Sequence, residues 1–184
     1  MKTYLHGTDY ESAMSIVANG LTTEKKTVWT CSRKDMLYVR DSEKEEAEFL
    51  TVESGQIAAA YKDSKSTNIG LVKITMSDEL ADELVEDDNS CEGTDGCYQI
   101  DIDALNEYVQ KGAISITVVI RKDAYIPYLR AFYLSHLSLD YMQIDDSTLM
   151  YAIKIIAQNG IFIDEMLEYG DIEATYEVKA SKVA

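Results

Sequence analysis

His6 and Gly7, in the run Tyr4-Leu5-His6-Gly7-Thr8, are the residues whose types and spacing best suit chemistry. An imidazole exchanges a proton near neutrality and binds through either ring nitrogen. A glycine beside it removes the side chain that would hold a ligand off the main chain. A lone histidine at a strand end otherwise packs and hydrogen-bonds, so its neighbours decide between the two roles. Here they are Gly7 and Thr8, followed at once by a helical pattern.

Other constellations carry less. Asp88-x-Ser90-x-Glu92-Gly93 opens like an EF-hand loop, but Gln99 stands where the loop needs a bidentate glutamate. Cys91 and Cys97 are spaced too widely for a common zinc pair, and Cys31 and His136 would have to complete the set. Cys91 has acidic neighbours, which oppose a thiolate nucleophile. The chain has no Gly-x-Ser-x-Gly elbow, Walker loop or dinucleotide Gly-x-Gly-x-x-Gly.

The elements that must position these residues can be read from periodicity and caps. Tyr4 to Gly7 reads as a strand and Asp9 to Asn19 as a helix, with Thr8 or Asp9 as its cap and Gly20 as its stop. Ala13, Ile16 and Val17 give that helix one apolar face. Thr27 to Cys31 is a second strand, extended or followed by Asp35 to Arg40, and the acidic Asp41 to Glu48 is solvated. Ser54 is placed to cap a helix ending at Tyr61, Ile69 to Met76 is a strand, and Asp78 to Asp88 starts as helix. Asn89 to Gly96 is a loop, and Asp103 to Lys111 is a helix stopped by Gly112. In Ala113 to Ile120, Ile114, Ile116, Val118 and Ile120 alternate with Ser115 and Thr117, the clearest strand of the chain. Beyond Pro127, Tyr128 to Leu137 and Ser147 to Gln158 read as helices and Ile172 to Val178 as a last strand.

Composition narrows the classes. At 184 residues and 46% hydrophobic, the chain is long and apolar enough for one globular domain with a real core. Its 33 acidic against 17 basic residues argue against tracking a nucleic-acid backbone, which takes Lys and Arg to displace counterions. A small basic pocket for one nucleotide is compatible with that balance. No window approaches the roughly 18 apolar residues of a membrane span, and the N-terminus lacks a secretory signal. Three cysteines fit a reducing compartment, so a cytoplasmic location is expected.

Strand, His6-Gly7-Thr8, helix, then Gly20-Leu21 resembles the opening of the ADP-ribosyltransferase superfamily, with its poly-ADP-ribose polymerase and RNA 2'-phosphotransferase branches. The resemblance runs from Met1 to about Ile120 and is specific in the first third. It implies an α+β fold: a mixed, largely antiparallel split sheet, a pair of small sheets with flanking helices. One domain would then span residues 1–184, with a core to about residue 120 and a helical C-terminal elaboration over 121–184. It also implies NAD as substrate, no metal, and transfer of ADP-ribose to a protein or other acceptor with release of nicotinamide.

By the same resemblance His6 holds the NAD ribose, the Gly7 backbone pairs with the nicotinamide amide, and Thr8 is a contact or only the cap. Two segments are similar to the family's nicotinamide clamp. One is Val28-Trp29-Thr30-Cys31-Ser32 with Tyr38; the other is a Leu50-Thr51 strand, the alanine-bearing helix from Ser54, and Tyr61. Trp29, Ser32 and Tyr38 are expected to line the pocket, with Tyr61 behind them. The family's acid, which steadies the oxocarbenium-like charge as nicotinamide leaves, has no carboxylate in Ile114 to Ile120, where Ser115 and Thr117 stand. Glu53 is the first candidate; Glu107, within Asn106-Glu107-Tyr108, is the second and is expected on a helix, facing water. Two other readings use the same chain. One is a non-catalytic relative that binds a nucleotide or a protein partner; the other is an acidic decoy of a nucleic-acid-binding protein.

Overall fold

The strand that carries His6 is longer than its apolar centre suggests: β1 spans Lys2–Asp9. The computed structural model describes residues 1–22, 33, 35–61, 66, 68–87, 96–122 and 172–178, without the side chains of residues 60 and 61. Asp9 ends β1 and caps α1 (Tyr10–Asn19), its Oδ1 accepting from the Ser12 N–H at 2.9 Å. Gly20 closes the helix at φ 76°, a left-handed conformation that suits glycine. Asp9, not Thr8, is therefore the cap. Thr8 lies buried in the ladder opposite Gly70. Asp9→Ala should cost about 1–2 kcal/mol, seen in thermal unfolding as a fall in Tm of roughly 3–6 °C.

Among the described residues the remaining elements are β2 (Met36–Asp41), α2 (Ala47–Tyr61), β3 (Asn68–Met76), α3 (Asp78–Leu84), β4 (Val85–Asp87), β5 (Cys97–Asp101), α4 (Ile102–Gln110), β6 (Ser115–Lys122) and β7 (Ile172–Val178). The strands form one sheet in the order β4-β5-β2-β1-β3-β6-β7, every neighbouring pair antiparallel. The fold is α+β, but the expected pair of small mixed sheets is one continuous antiparallel sheet. The physical reason lies in β1, which pairs on both of its edges. It zips to β3 from Lys2↔Met76 to Asp9↔Ile69, and meets β2 only at Tyr4↔Asp41 and Leu5↔Arg40. That joint of two residue pairs makes one sheet of two otherwise separate halves. β7 adds a sheet strand from beyond residue 121, so the C-terminal segment is not purely helical. The helices expected between residues 128 and 158, and the strand expected over 27–31, lie outside the described residues.

Strand alternation sends apolar side chains to both faces of the central strands. On one face Tyr4, Val72, Ile74, Met76, Leu37, Val39, Ile100, Ile116 and Val118 form the main core with Ala13 and Ile16 of α1 and Ile102 and Leu105 of α4. On the other, Ile69, Leu71 and Val119 meet Val52 and Ala59 of α2. This double coverage explains the near-continuous apolar runs of β3 and β6.

Three local expectations change here. α2 starts at Ala47, not at Ser54: Ser54 sits inside it and its Oγ donates to the Leu50 carbonyl at 2.8 Å. Leu50 and Thr51 are accordingly helical, and the Thr51 hydroxyl, buried against the sheet, donates to the Ala47 carbonyl at 2.6 Å. Tertiary burial of Val52 and Ala59 on the sheet overrides the local serine-cap signal. Asp41 is not solvated. It is buried opposite Tyr4, with Oδ1 accepting from the Glu43 N–H at 3.0 Å.

Candidate functional site

The site grows from the point where β1 and β2 part. Beyond Leu5↔Arg40 the ladder stops, and β1 continues as His6 and Gly7 while β2 runs back through Val39 to Tyr38. The His6 ring spans the fork, with Nδ1 2.8 Å from the Tyr38 carbonyl oxygen. A carbonyl can only accept, so Nδ1 carries the proton and donates. In the neutral ring Nε2 is then the acceptor nitrogen. Two candidates thirty-two positions apart are thus joined by one hydrogen bond.

Alternation assigns the faces. Leu5 is opposite Arg40, and Tyr38 lies two residues from Arg40, so Tyr38 and Arg40 share the face on which α2 packs. The register continues outward: Tyr38 opposes Gln99 of β5, and Gln99 opposes Glu86 of β4. Gln99 Nε2 donates to Glu86 Oε2 at 3.4 Å, a long hydrogen bond. The neighbouring row pairs Arg40 with Cys97, and Arg40 Nη1 donates to Cys97 Sγ at 3.1 Å. Tyr38, Arg40, Cys97 and Gln99 are all partly exposed, whereas Leu37, Val39 and Ile100 on the opposite face are buried. This stretch of β2 and β5 thus presents polar side chains on one face and core on the other.

Glu53 of α2 borders this face. Burial holds its carboxyl above the usual glutamate range, and the Arg40 charge draws it part of the way back. The Tyr38 hydroxyl accepts from the Arg33 N–H at 3.0 Å, which anchors the ring at the start of β2.

Gly7 has a different neighbour from the one expected. A Cβ there would lie 1.9 Å from the Thr51 carbonyl oxygen and 2.8 Å from the Gly55 nitrogen. The close approach that needs glycine is made by the α2 backbone. Gly55 answers it, since its own Cβ would stand 3.2 Å from the Thr8 carbonyl oxygen. The two glycines let helix and strand come together main chain to main chain.

Tyr38 and Arg40 thus share the α2 face that Glu53 borders, whereas His6, opposite Val72 in the ladder, belongs to the main-core face and meets Tyr38 through that residue's backbone carbonyl. Thr8 is buried away from the α2 face, and Glu107 is exposed on α4, ion-paired with Lys111, on the side of the sheet opposite α2. Trp29 and Ser32 lie outside the described residues. Tyr61 ends α2, where only its backbone is described. Of the two alternative clamp segments, Val28 to Ser32 lies outside the described residues and Tyr38 lies in β2, while Leu50, Thr51 and the alanine-bearing stretch all lie within α2. Arg40 carries no motif that marks it in the sequence, and Cys97 and Gln99 appear there only as members of weak metal-site patterns. The alternation Cys97-Tyr98-Gln99-Ile100-Asp101 is the signal for β5, overshadowed by the small and polar run before it.

Among the described residues no group of three or more His, Cys, Asp or Glu side chains is placed to hold a metal ion. No described helix is long and apolar enough to cross a membrane. No protein-family model, curated protein or solved structure matches the chain.

Proposed function

We propose that the chain binds NAD at the fork between β1 and β2 and transfers ADP-ribose to a protein or other acceptor, releasing nicotinamide. The observation that carries this reading is the His6 hydrogen bond to the Tyr38 carbonyl at 2.8 Å, which fixes the imidazole where the strands part. The bond at Nδ1 fixes the tautomer and orientation of the ring that would contact the ribose. Tyr38 supplies an aromatic face for nicotinamide. Glu53 supplies a carboxylate for the positive charge that develops on the ribose as nicotinamide leaves. The resemblance at His6-Gly7-Thr8 names the substrate; at the fork the His6 ring is tied to the Tyr38 backbone, while the Tyr38 ring and Glu53 belong to the α2 face.

Incubation with NAD, read by nicotinamide release and by calorimetry, tests this with His6→Ala alongside. The expected result is release by the wild-type protein and a loss of NAD affinity of roughly tenfold or more in the variant, as for a lost hydrogen bond to a buried polar partner. The Tm of His6→Ala should also fall by roughly 2–4 °C, because the bond across the fork goes too. A folded wild-type protein that neither binds nor cleaves NAD overturns the proposal.

One observation favours a second reading. The residue opposite Tyr38 on the adjoining strand is Gln99, a neutral amide. A site with an amide there suits a nucleotide-binding module on the same fold, and NAD binding without nicotinamide release would select it.

A further inference from the structure

We infer that Arg40 is the anion-binding residue of this site and takes the diphosphate of a dinucleotide, an inference that rests on the NAD reading. Three arginines fall among the described residues. Arg33 is ion-paired with Asp35 and Arg121 with Glu48, while Arg40 has no carboxylate oxygen within ion-pair distance among the described residues. Its side-chain partner is the Cys97 sulfur, a weak acceptor that engages one of five guanidinium N–H groups. In a chain of 33 acidic residues, a partly buried arginine with no carboxylate within ion-pair distance among the described residues stands out. Taking a guanidinium out of water is unfavourable unless an anion answers it.

Its position matches that need. Arg40 occupies the last rung of the β1–β2 ladder, opposite Leu5, two residues from Tyr38 and on the same face. The fork of a guanidinium matches phosphate oxygens two at a time, a geometry that ammonium cannot reproduce. Glu53 lies close enough to feel the Arg40 charge without forming an ion pair, so it does not satisfy the guanidinium. The diphosphate is the anionic portion of NAD. Nicotinamide itself presents no phosphate, which separates Arg40 from the residues assigned to the ring.

Calorimetry of the full chain with NAD, ADP-ribose, nicotinamide and inorganic pyrophosphate, on wild type, Arg40→Gln and Arg40→Lys, tests the assignment. The expected result is a loss of NAD and ADP-ribose affinity of roughly tenfold to a hundredfold in Arg40→Gln, the range for hydrogen bonds to a charged group. The salt dependence of NAD binding should weaken in the same variant, because its charge is gone. Arg40→Lys should recover part of the affinity, and nicotinamide binding should be unchanged in both. If Arg40→Gln fails to fold, Arg40→Lys carries the test, since it keeps the charge but cannot hold two phosphate oxygens in parallel. NAD affinity within about twofold of wild type in a folded variant overturns the assignment. Pyrophosphate binding that depends on Arg40, in a protein that ignores NAD, overturns the NAD reading and keeps Arg40 as an anion site. A wild-type chain that binds none of the four overturns both.

Discussion

Gly7→Ala is expected to destabilise the fold by at least about 3 kcal/mol, because an added methyl must enter space held by backbone. The new carbon would stand 1.9 Å from the Thr51 carbonyl oxygen and 2.8 Å from the Gly55 nitrogen, and neither can swing aside as a long side chain does. Relief requires α2 to lift off β1, and with it Val52 and Ala59 off Ile69, Leu71 and Val119. Thermal unfolding followed by circular dichroism should show a fall in Tm of roughly 6–12 °C. Were Gly7 required only for a ligand to reach the main chain, the variant would melt like wild type and lose NAD binding alone. A Tm within about a degree of wild type would therefore return the glycine to that role.

Glu53→Gln should move stability and activity in opposite directions. Burial raises the folded-state pKa of this carboxyl, and the Arg40 charge offsets only part of the rise. The sign follows from linkage: the stability from Glu53 is fully present below its unfolded pKa, near 4.5, and is lost as pH rises through the folded value. At neutral pH the ionised group therefore opposes folding, so the neutral amide of the variant should give a higher Tm. The gap should close as pH falls below the unfolded value, where both side chains are neutral. Nicotinamide release, by contrast, should drop roughly a hundredfold or more if the carboxylate stabilises the developing ribose charge. NAD affinity should change little, since the charge acts on the departing state. A variant that is more stable and equally active would remove Glu53 from the chemistry and leave its burial as a packing fact.

Both substitutions fall where local sequence and tertiary packing make different demands. α1 is legible in the sequence because its determinants are local: Asp9 accepts from the Ser12 N–H, Gly20 takes a left-handed φ, and Ala13 and Ile16 repeat at helical spacing. β3 and β6 are legible because a double-sided core demands long apolar runs. The start of α2 is not, because Ser54 satisfies the local rule for a cap while Val52 and Ala59, packed on the sheet, decide where the helix begins. Asp41 sits in an acidic run that reads as solvated, yet its burial comes from Tyr4, far away in the chain and opposite it in the ladder.

For the site, residue type and likeness to a family's opening mark His6, Tyr38 and Glu53. The sequence ranks Glu107 behind Glu53 only through its expected place on a water-facing helix, because both are acids in a chain full of them. Packing separates the two, setting α2 on the polar face of β2 and α4 on the other face of the sheet. Register also introduces Arg40, Cys97 and Gln99 as a group, since Cys97 and Gln99 become neighbours of Arg40 and Tyr38 only when β5 pairs with β2.

The α+β class, the start and stop of α1, the central strands and the acidic balance are properties of the amino-acid sequence, because each follows from short-range periodicity, caps or charge count. That the sheet is single, that its halves join over two residue pairs, and that the fork holds His6 against Tyr38 are properties of the folded chain. So is the reason for Gly7, which lies in the backbone of α2. Contacts between residues far apart in the chain depend on which strands pair and in what register, and local alternation alone does not choose the partner strand.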